Sequence, residues 1–189
     1  MPQYWATTQN NLANAYMERI KGDKAENIEN AIAAYTAALT VTTREALPQY
    51  WATTQNNLAN AYMERIKGDK AENIENAIAA YTAALTVTTR EALPQYWATT
   101  QNNLANAYME RIKGDKAENI EKAIAASTAA LIVYTPSAFP QQWALKQNNL
   151  ANAYRERIKG DRAENIENAI AHSSQSLELS LKLSFAERF

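Results

Sequence analysis

The side chains best placed to do chemistry in this 189-residue chain are carboxamides, and they come in a fixed pattern. The string QNNLANAY occupies residues 9–16 and returns unaltered at 55–62, 101–108 and 147–154. Each copy carries three asparagines: Asn10, Asn11 and Asn14, then Asn56, Asn57 and Asn60, then Asn102, Asn103 and Asn106, then Asn148, Asn149 and Asn152. A carboxamide is both donor and acceptor, so it pairs with a peptide unit whatever side chain that unit carries. A row of them suits an extended peptide held by its backbone. It also suits the joining of neighbouring helices, because asparagine inside a helix costs several tenths of a kcal/mol relative to alanine and needs a compensating contact.

Other reactive arrangements are absent from the sequence. The only glycines, Gly22, Gly68, Gly114 and Gly160, stand far apart and form no phosphate loop, and there is no cysteine. The sole histidine, His172, replaces the alanine of Ala34, Ala80 and Ala126 and has no nucleophile or second ligand beside it, which reads as structural. Glu64-Arg65-Ile66-Lys67 reads as a solvated, basic helix end that suits the helix dipole and does no chemistry. The expectation is a protein that is not an enzyme and has no cofactor, no metal and no catalytic residue.

The elements that carry the carboxamides repeat with them. Pro-Gln-Tyr-Trp starts at Pro2, Pro48 and Pro94 and its variant Pro-Gln-Gln-Trp at Pro140, so the steps 48−2, 94−48 and 140−94 all equal 46. The repeats are therefore 2–47, 48–93, 94–139 and 140–185, leaving Met1 and a tail at 186–189. In the second repeat Trp51, Gln55, Leu58, Tyr62 and Ile66 draw one stripe at helical spacing, which predicts a helix A from Pro48 to about Lys67 with Gly68 as its left-handed cap. Asp69 caps helix B, with Glu72 placed to reach back in a capping box, and Ile74, Ala77, Ile78, Tyr81, Ala84, Leu85 and Thr88 form the stripe. Helix B ends by Leu93, before Pro94.

One hairpin of this size cannot bury both stripes, so each must stack on the next. The predicted fold is an all-α, right-handed superhelical α-solenoid of four helix-turn-helix repeats and eight helices, forming a single repeat domain over 1–189. Alanines at 59, 61, 77, 79, 80, 83 and 84 allow close helix approach, and Trp51 and Tyr62 fill the larger gaps.

The string Asn57-Leu58-Ala59-Asn60-Ala61-Tyr62, then Gly68-Asp69, Ala77-Ile78 and Ala84-Leu85, resembles the tetratricopeptide repeat, in all four units. The unit is longer than usual for that family and is similar to the long repeats of kinesin light chains and of cyanobacterial multidomain proteins. The resemblance implies a protein-interaction module whose helix A lines a concave groove. By register the groove carries Asn10, Asn14, Thr53, Asn56, Asn57, Asn60, Glu64, Asn102, Asn103, Asn106, Asn148, Asn152 and Arg155, similar to the asparagine ladders that grip extended peptides. The family's dicarboxylate clamp needs lysines where Thr53 and Asn56 stand, so chaperone tails are not expected partners.

The implied partner is a protein or peptide. Nineteen basic against 20 acidic residues exclude a phosphate-gathering surface and hence nucleic acid, and no apolar window is long enough to span a membrane. The lack of cysteine and of an apolar leader suggests a cytoplasmic protein.

Repeats one and two are identical, which fits recent tandem duplication or engineering. Repeat three departs at Lys122, Ser127, Ile132, Tyr134, Pro136, Ser137 and Phe139, and repeat four at Leu145, Lys146, Arg155 and throughout after Ala171, as at one co-adapted junction. Pro136 predicts that the third helix B stops about four residues early, leaving 136–139 as a connector. In the stretch 176–185 apolar and polar residues alternate as in a half-buried strand, while Leu177, Leu181 and Phe185 lie four apart as in a helix; helix is favoured because the other repeats are helical there. Apolar faces on the first and last repeats give the alternative reading, a scaffold whose copies stack head to tail as a homo-oligomer.

Overall fold

The computed structural model describes residues 2–186; Met1 and 187–189, most of the expected tail, lie outside the described residues. Among the described residues there are eight helices and no strand: α1 Pro2–Glu18, α2 Lys24–Leu39, α3 Pro48–Glu64, α4 Lys70–Leu85, α5 Pro94–Glu110, α6 Lys116–Val133, α7 Pro140–Glu156 and α8 Arg162–Ala186. They form two compact units, 1–92 and 93–189, each made of two helical hairpins.

The helix starts follow the sequence. Pro48, Pro94 and Pro140 each open a helix A, where the missing N–H would have had no partner. Asp23, Asp69, Asp115 and Asp161 cap the B helices, each accepting from the backbone N–H three residues on at 2.8–2.9 Å. The reciprocal half of the capping box does not form in the first repeat, because the Glu26 carboxylate turns outward to pair with Lys67 of the second.

The helix ends differ from the sequence reading. Helix A stops at Glu64 rather than near Lys67, and Arg65 is already extended, with ψ 124°. Gly68 is left-handed at φ +79°, but it lies in the connector and not at the helix cap. The reason is Asn73: its Nδ2 donates to Lys67 O at 2.9 Å and its Oδ1 accepts from Arg65 Nη1 at 3.3 Å, so a buried side chain from helix B holds the connector. Ile66 therefore leaves the stripe and is exposed, as are Ile20, Ile112 and Ile158.

Helix B ends at Leu39 and Leu85, well before the following proline. The hydroxyls of Thr40 and Thr42 bond back to Ala37 O and Ala38 O at 2.7 and 2.9 Å and turn the chain out of the helix. In the third repeat Ile132 and Tyr134 replace those threonines, and α6 runs to Val133, the counterpart of Val41. Pro136 thus ends nothing early: α6 is two residues longer than α2, 18 against 16, and 136–139 lie in the connector as expected. The stretch 176–185 is helical, the last part of a 25-residue α8.

The cores are built where hairpins meet within a unit. In the first, Ala13, Ile28, Ala31, Ile32, Ala34 and Tyr35 of the first hairpin enclose Leu58 and Ala61 of α3. In the second, Ile120 and Ile124 of α6 meet Leu150 and Ala153 of α7. The alanines allow the close approach, and Leu58 fills the space that remains.

Candidate interaction surface

The carboxamides of the first unit are largely spent on one another. Asn10 Nδ2 donates to Thr54 Oγ1 at 3.3 Å, and Asn57 Nδ2 is shared between Asn10 Oδ1 and Asn14 Oδ1 at 3.3 and 3.4 Å. Asn14 Oδ1 also accepts from the Tyr35 hydroxyl at 2.6 Å, and Asn60 Oδ1 from that of Tyr81 at 2.5 Å. Burial, with Glu18 and Glu64 near, pushes the Tyr35 phenol up to about 12, so it stays a donor at neutral pH. These bonds join α1 to α3 and each helix A to its own helix B.

The second unit keeps one rung. Asn149 Nδ2 donates to buried Asn102 Oδ1 at 3.1 Å. Ser127 and Ser173 stand where Tyr35 and Tyr81 stand in the first unit, so no phenol reaches Asn106 or Asn152, and both are exposed. Asn148 and Arg155 are exposed as well, with Arg155 Nε 3.4 Å from Glu156 of its own helix. Of the remaining predicted groove residues, Thr53 bonds back to Gln49 O at 2.9 Å; Asn56, Asn60 and Asn103 are half-buried, and Glu64 is exposed as the last residue of α3.

Two further constellations escaped the sequence reading. The segment ending helix A is not a solvated face: Arg65 is a half-buried clamp whose Nε and Nη2 donate to Glu29 Oε1 and Oε2 at 2.7 and 2.8 Å while its Nη1 reaches Asn73. The Arg65 guanidinium holds the Glu29 carboxyl below its ordinary value. The second unit repeats the device with Arg157, Glu121 and Asn165. The signal for it was an asparagine four residues after each capping aspartate, at Asn27, Asn73, Asn119 and Asn165, where nothing local calls for one.

The second constellation surrounds His172, whose structural reading fits its contacts. Its Nδ1 lies 2.5 Å from Oε1 of buried Gln147, Gln147 Nε2 donates to Gln175 at 3.2 Å, and the imidazole stacks on Tyr154. Burial lowers the His172 pKa. Nearby, Lys146 occupies the place of Thr54 and lies over the Tyr134 ring at 5.9 Å, its pKa also lowered by burial. No buried side-chain nitrogen or oxygen among the described residues lacks a partner.

Two junction-type faces are open. Leu12 of α1 is 44% exposed where its counterpart Leu58 is 7% exposed, and Ile170 of α8 is 52% exposed where Ile32 is 9%. A cavity of about 290 Å³ lies beside Ile170, lined by Ala151, Ile166 and Ser173 with Asn152 and Arg155.

Antiparallel hairpins, joined within each unit by helix A side chains and a glutamate–arginine clamp, define a helical-repeat protein that works by contact surfaces. The tetratricopeptide repeat family model matches residues 5–39, 51–85 and 97–131, more than half of the sequence, and the chain belongs to that family. The fourth hairpin has the same architecture but falls outside the match; its helix B is rewritten after Ala171. The crystal structure of BtubC (BKLC) from P. vanneervenii is similar, with a TM-score of 0.75 over 97% of this chain at 20% identity, a likeness of fold alone. The chain spans 66% of that protein's length. No curated protein matches the chain significantly. Among the described residues no helix is long and apolar enough to cross a membrane.

Proposed function

We propose that the chain is a non-catalytic protein-interaction module that takes an extended partner segment along the helix A surface, backbone first. The carboxamides divide the work. Asn10, Asn14, Asn57, Asn102 and Asn149 hold helices together, and Asn106, Asn148 and Asn152, with Arg155, meet the partner. The observation that carries this reading is the replacement of Tyr35 and Tyr81 by Ser127 and Ser173, which leaves Asn106 and Asn152 exposed in the second unit. Arg155, in the place of Met17, Met63 and Met109, favours a segment with a carboxylate opposite it.

Selection from a display library of random decapeptides, followed by fluorescence anisotropy on the selected peptides, tests the reading. Peptides that bind wild type and are lost by the Asn106→Ala, Asn152→Ala double variant at unchanged thermal stability support it. A selection that yields no binder, or binders indifferent to the double variant, contradicts it. A second reading, assembly of copies end on end, is favoured by the exposed faces of α1 and α8.

A further inference from the structure

We infer that the open face of α8 receives α1 of a second copy of this chain, so that the junction seen between α2 and α3 is rebuilt between molecules. This rests on the second reading above and gives it a register.

The two faces are copies of the two halves of an existing interface. Residues 2–23, through α1, repeat 48–69 without change, and the start of α8, 163–171, repeats 25–33 of α2. Inside the first unit these halves are closed on each other: Leu58 and Ala61 pack on Ile28, Ile32 and Tyr35. On α1 the same positions, Leu12 and Ala15, are exposed. On α8, Ile170 is exposed, and the cavity of about 290 Å³ is lined by Ala151, Ile166, Ile170 and Ser173. These are the counterparts of Ala13, Ile28, Ile32 and Tyr35, which enclose Leu58 and Ala61. The cavity is therefore the empty seat for Leu12 and Ala15.

Charge completes the match. Within the first unit Glu29 takes both Nε and Nη2 of Arg65, and Glu26 pairs with Lys67; within the second, Glu121 and Glu118 do the same with Arg157 and Lys159. A further set is divided between the open faces: Glu167 and Glu164 on α8, Arg19 and Lys21 just after α1. Among the described residues Arg19 uses only Nη1, on its own Asn27 at 3.4 Å, which leaves Nε and Nη2 for the incoming Glu167. The carboxamides follow the same register: exposed Asn11 is the counterpart of Asn57, and Asn148 and Asn152 are the counterparts of its acceptors Asn10 and Asn14. An unrelated partner would have to reproduce the apolar side chains that fill the seat, both cations and the amide together; α1 of a second copy and the residues just after it carry them all. Because the contact is heterologous, it propagates from copy to copy.

Light scattering behind a sizing column, over about a hundredfold range of concentration, reads the assembly. Two variants set the register: Glu164→Lys with Glu167→Arg reverses the α8 face, and Arg19→Glu with Lys21→Glu reverses the α1 face. Wild type gains mass with concentration, each variant alone stays monomeric with its association constant down about tenfold or more, and an equimolar mixture of the two recovers mass because opposite charges meet again at both contacts. Leu12→Asp, which leaves Arg19 and its connector intact, also abolishes the gain. Wild type that stays monomeric throughout overturns both the inference and the stacking reading. Wild type that assembles regardless of the charge reversals, or a mixture that stays monomeric, overturns this register and leaves stacking by another surface.

Discussion

The α2–α3 junction of the first unit and the α6–α7 junction of the second use one lock and two fillings. The lock is the same: a glutamate of helix B takes an arginine in two parallel bonds, and that arginine touches the asparagine that holds the next connector. The filling differs. The first unit packs a phenol, a threonine hydroxyl and three carboxamides into one hydrogen-bonded group. The second drops the phenol, keeps one amide rung, and adds Tyr134 edge-on to Phe139 at 5.5 Å with Lys146 over the Tyr134 ring. The difference teaches which contacts define the repeat: the ion pair and the connector asparagine persist, and the ladder is adjustable. Where it is relaxed, amides are exposed.

The comparison breaks most sharply at Tyr35. Tyr35→Ser makes the first unit like the second at that position, empties the space of a buried ring, and costs about 3–5 kcal/mol by urea unfolding. A loss under about 1 kcal/mol means that the ring does not organise the first core. Next comes the connector: Asn73→Ala leaves Lys67 O and Arg65 Nη1 without their buried partner and costs about 1–3 kcal/mol, and Asn165→Ala in the second unit costs the same. Unequal costs at these two sites break the claim of a shared lock.

The lock itself is a partly exposed pair. Arg65→Ala and Arg157→Ala each cost about 1–2 kcal/mol, a figure reduced by solvent screening. Both Glu29 and Glu121 sit below their ordinary 4.5, so their contribution is full above that value and is lost as pH falls through the depressed folded one. A pH titration of stability loses that acid-side slope in part with each arginine removed.

Much of the architecture was legible because it is written locally and four times over. Period, helix type, proline starts and aspartate caps all follow from neighbours in sequence. Helix ends did not, because they are set at a distance: Asn73 holds the connector at Lys67 from within the next helix, and Thr40 and Thr42 draw the chain out of α2 before any proline acts. The candidate surface was legible as a set of residue types and not as a division of labour. Identical strings at Asn14 and Asn152 carry the same local information, and contacts from other helices separate a bound amide from an exposed one: Tyr35 and Asn57 both donate to Asn14, whereas Ser173 stands in place of the phenol beside Asn152. Arg65 misled for a related reason, since its partner Glu29 is 36 residues away.

The smallest expected effect belongs to the second unit alone. His172 has its pKa lowered from 6.5 by burial, so the unfolded chain takes up the proton first as pH falls. Stability is full above about 6.5 and declines below it as pH approaches the folded value, and His172→Ala removes that part of the slope. A wild-type slope that survives the substitution assigns it to other groups.

The central claim, that the repeated asparagines are bound in one set and available in another, is tested most directly by the exchange of their side-chain amide protons with water, followed by NMR. The account predicts slowed exchange at Asn57 and Asn149, whose Nδ2 groups donate across helices, and exchange at the free-amide rate at Asn106 and Asn152. One common rate for all four contradicts it.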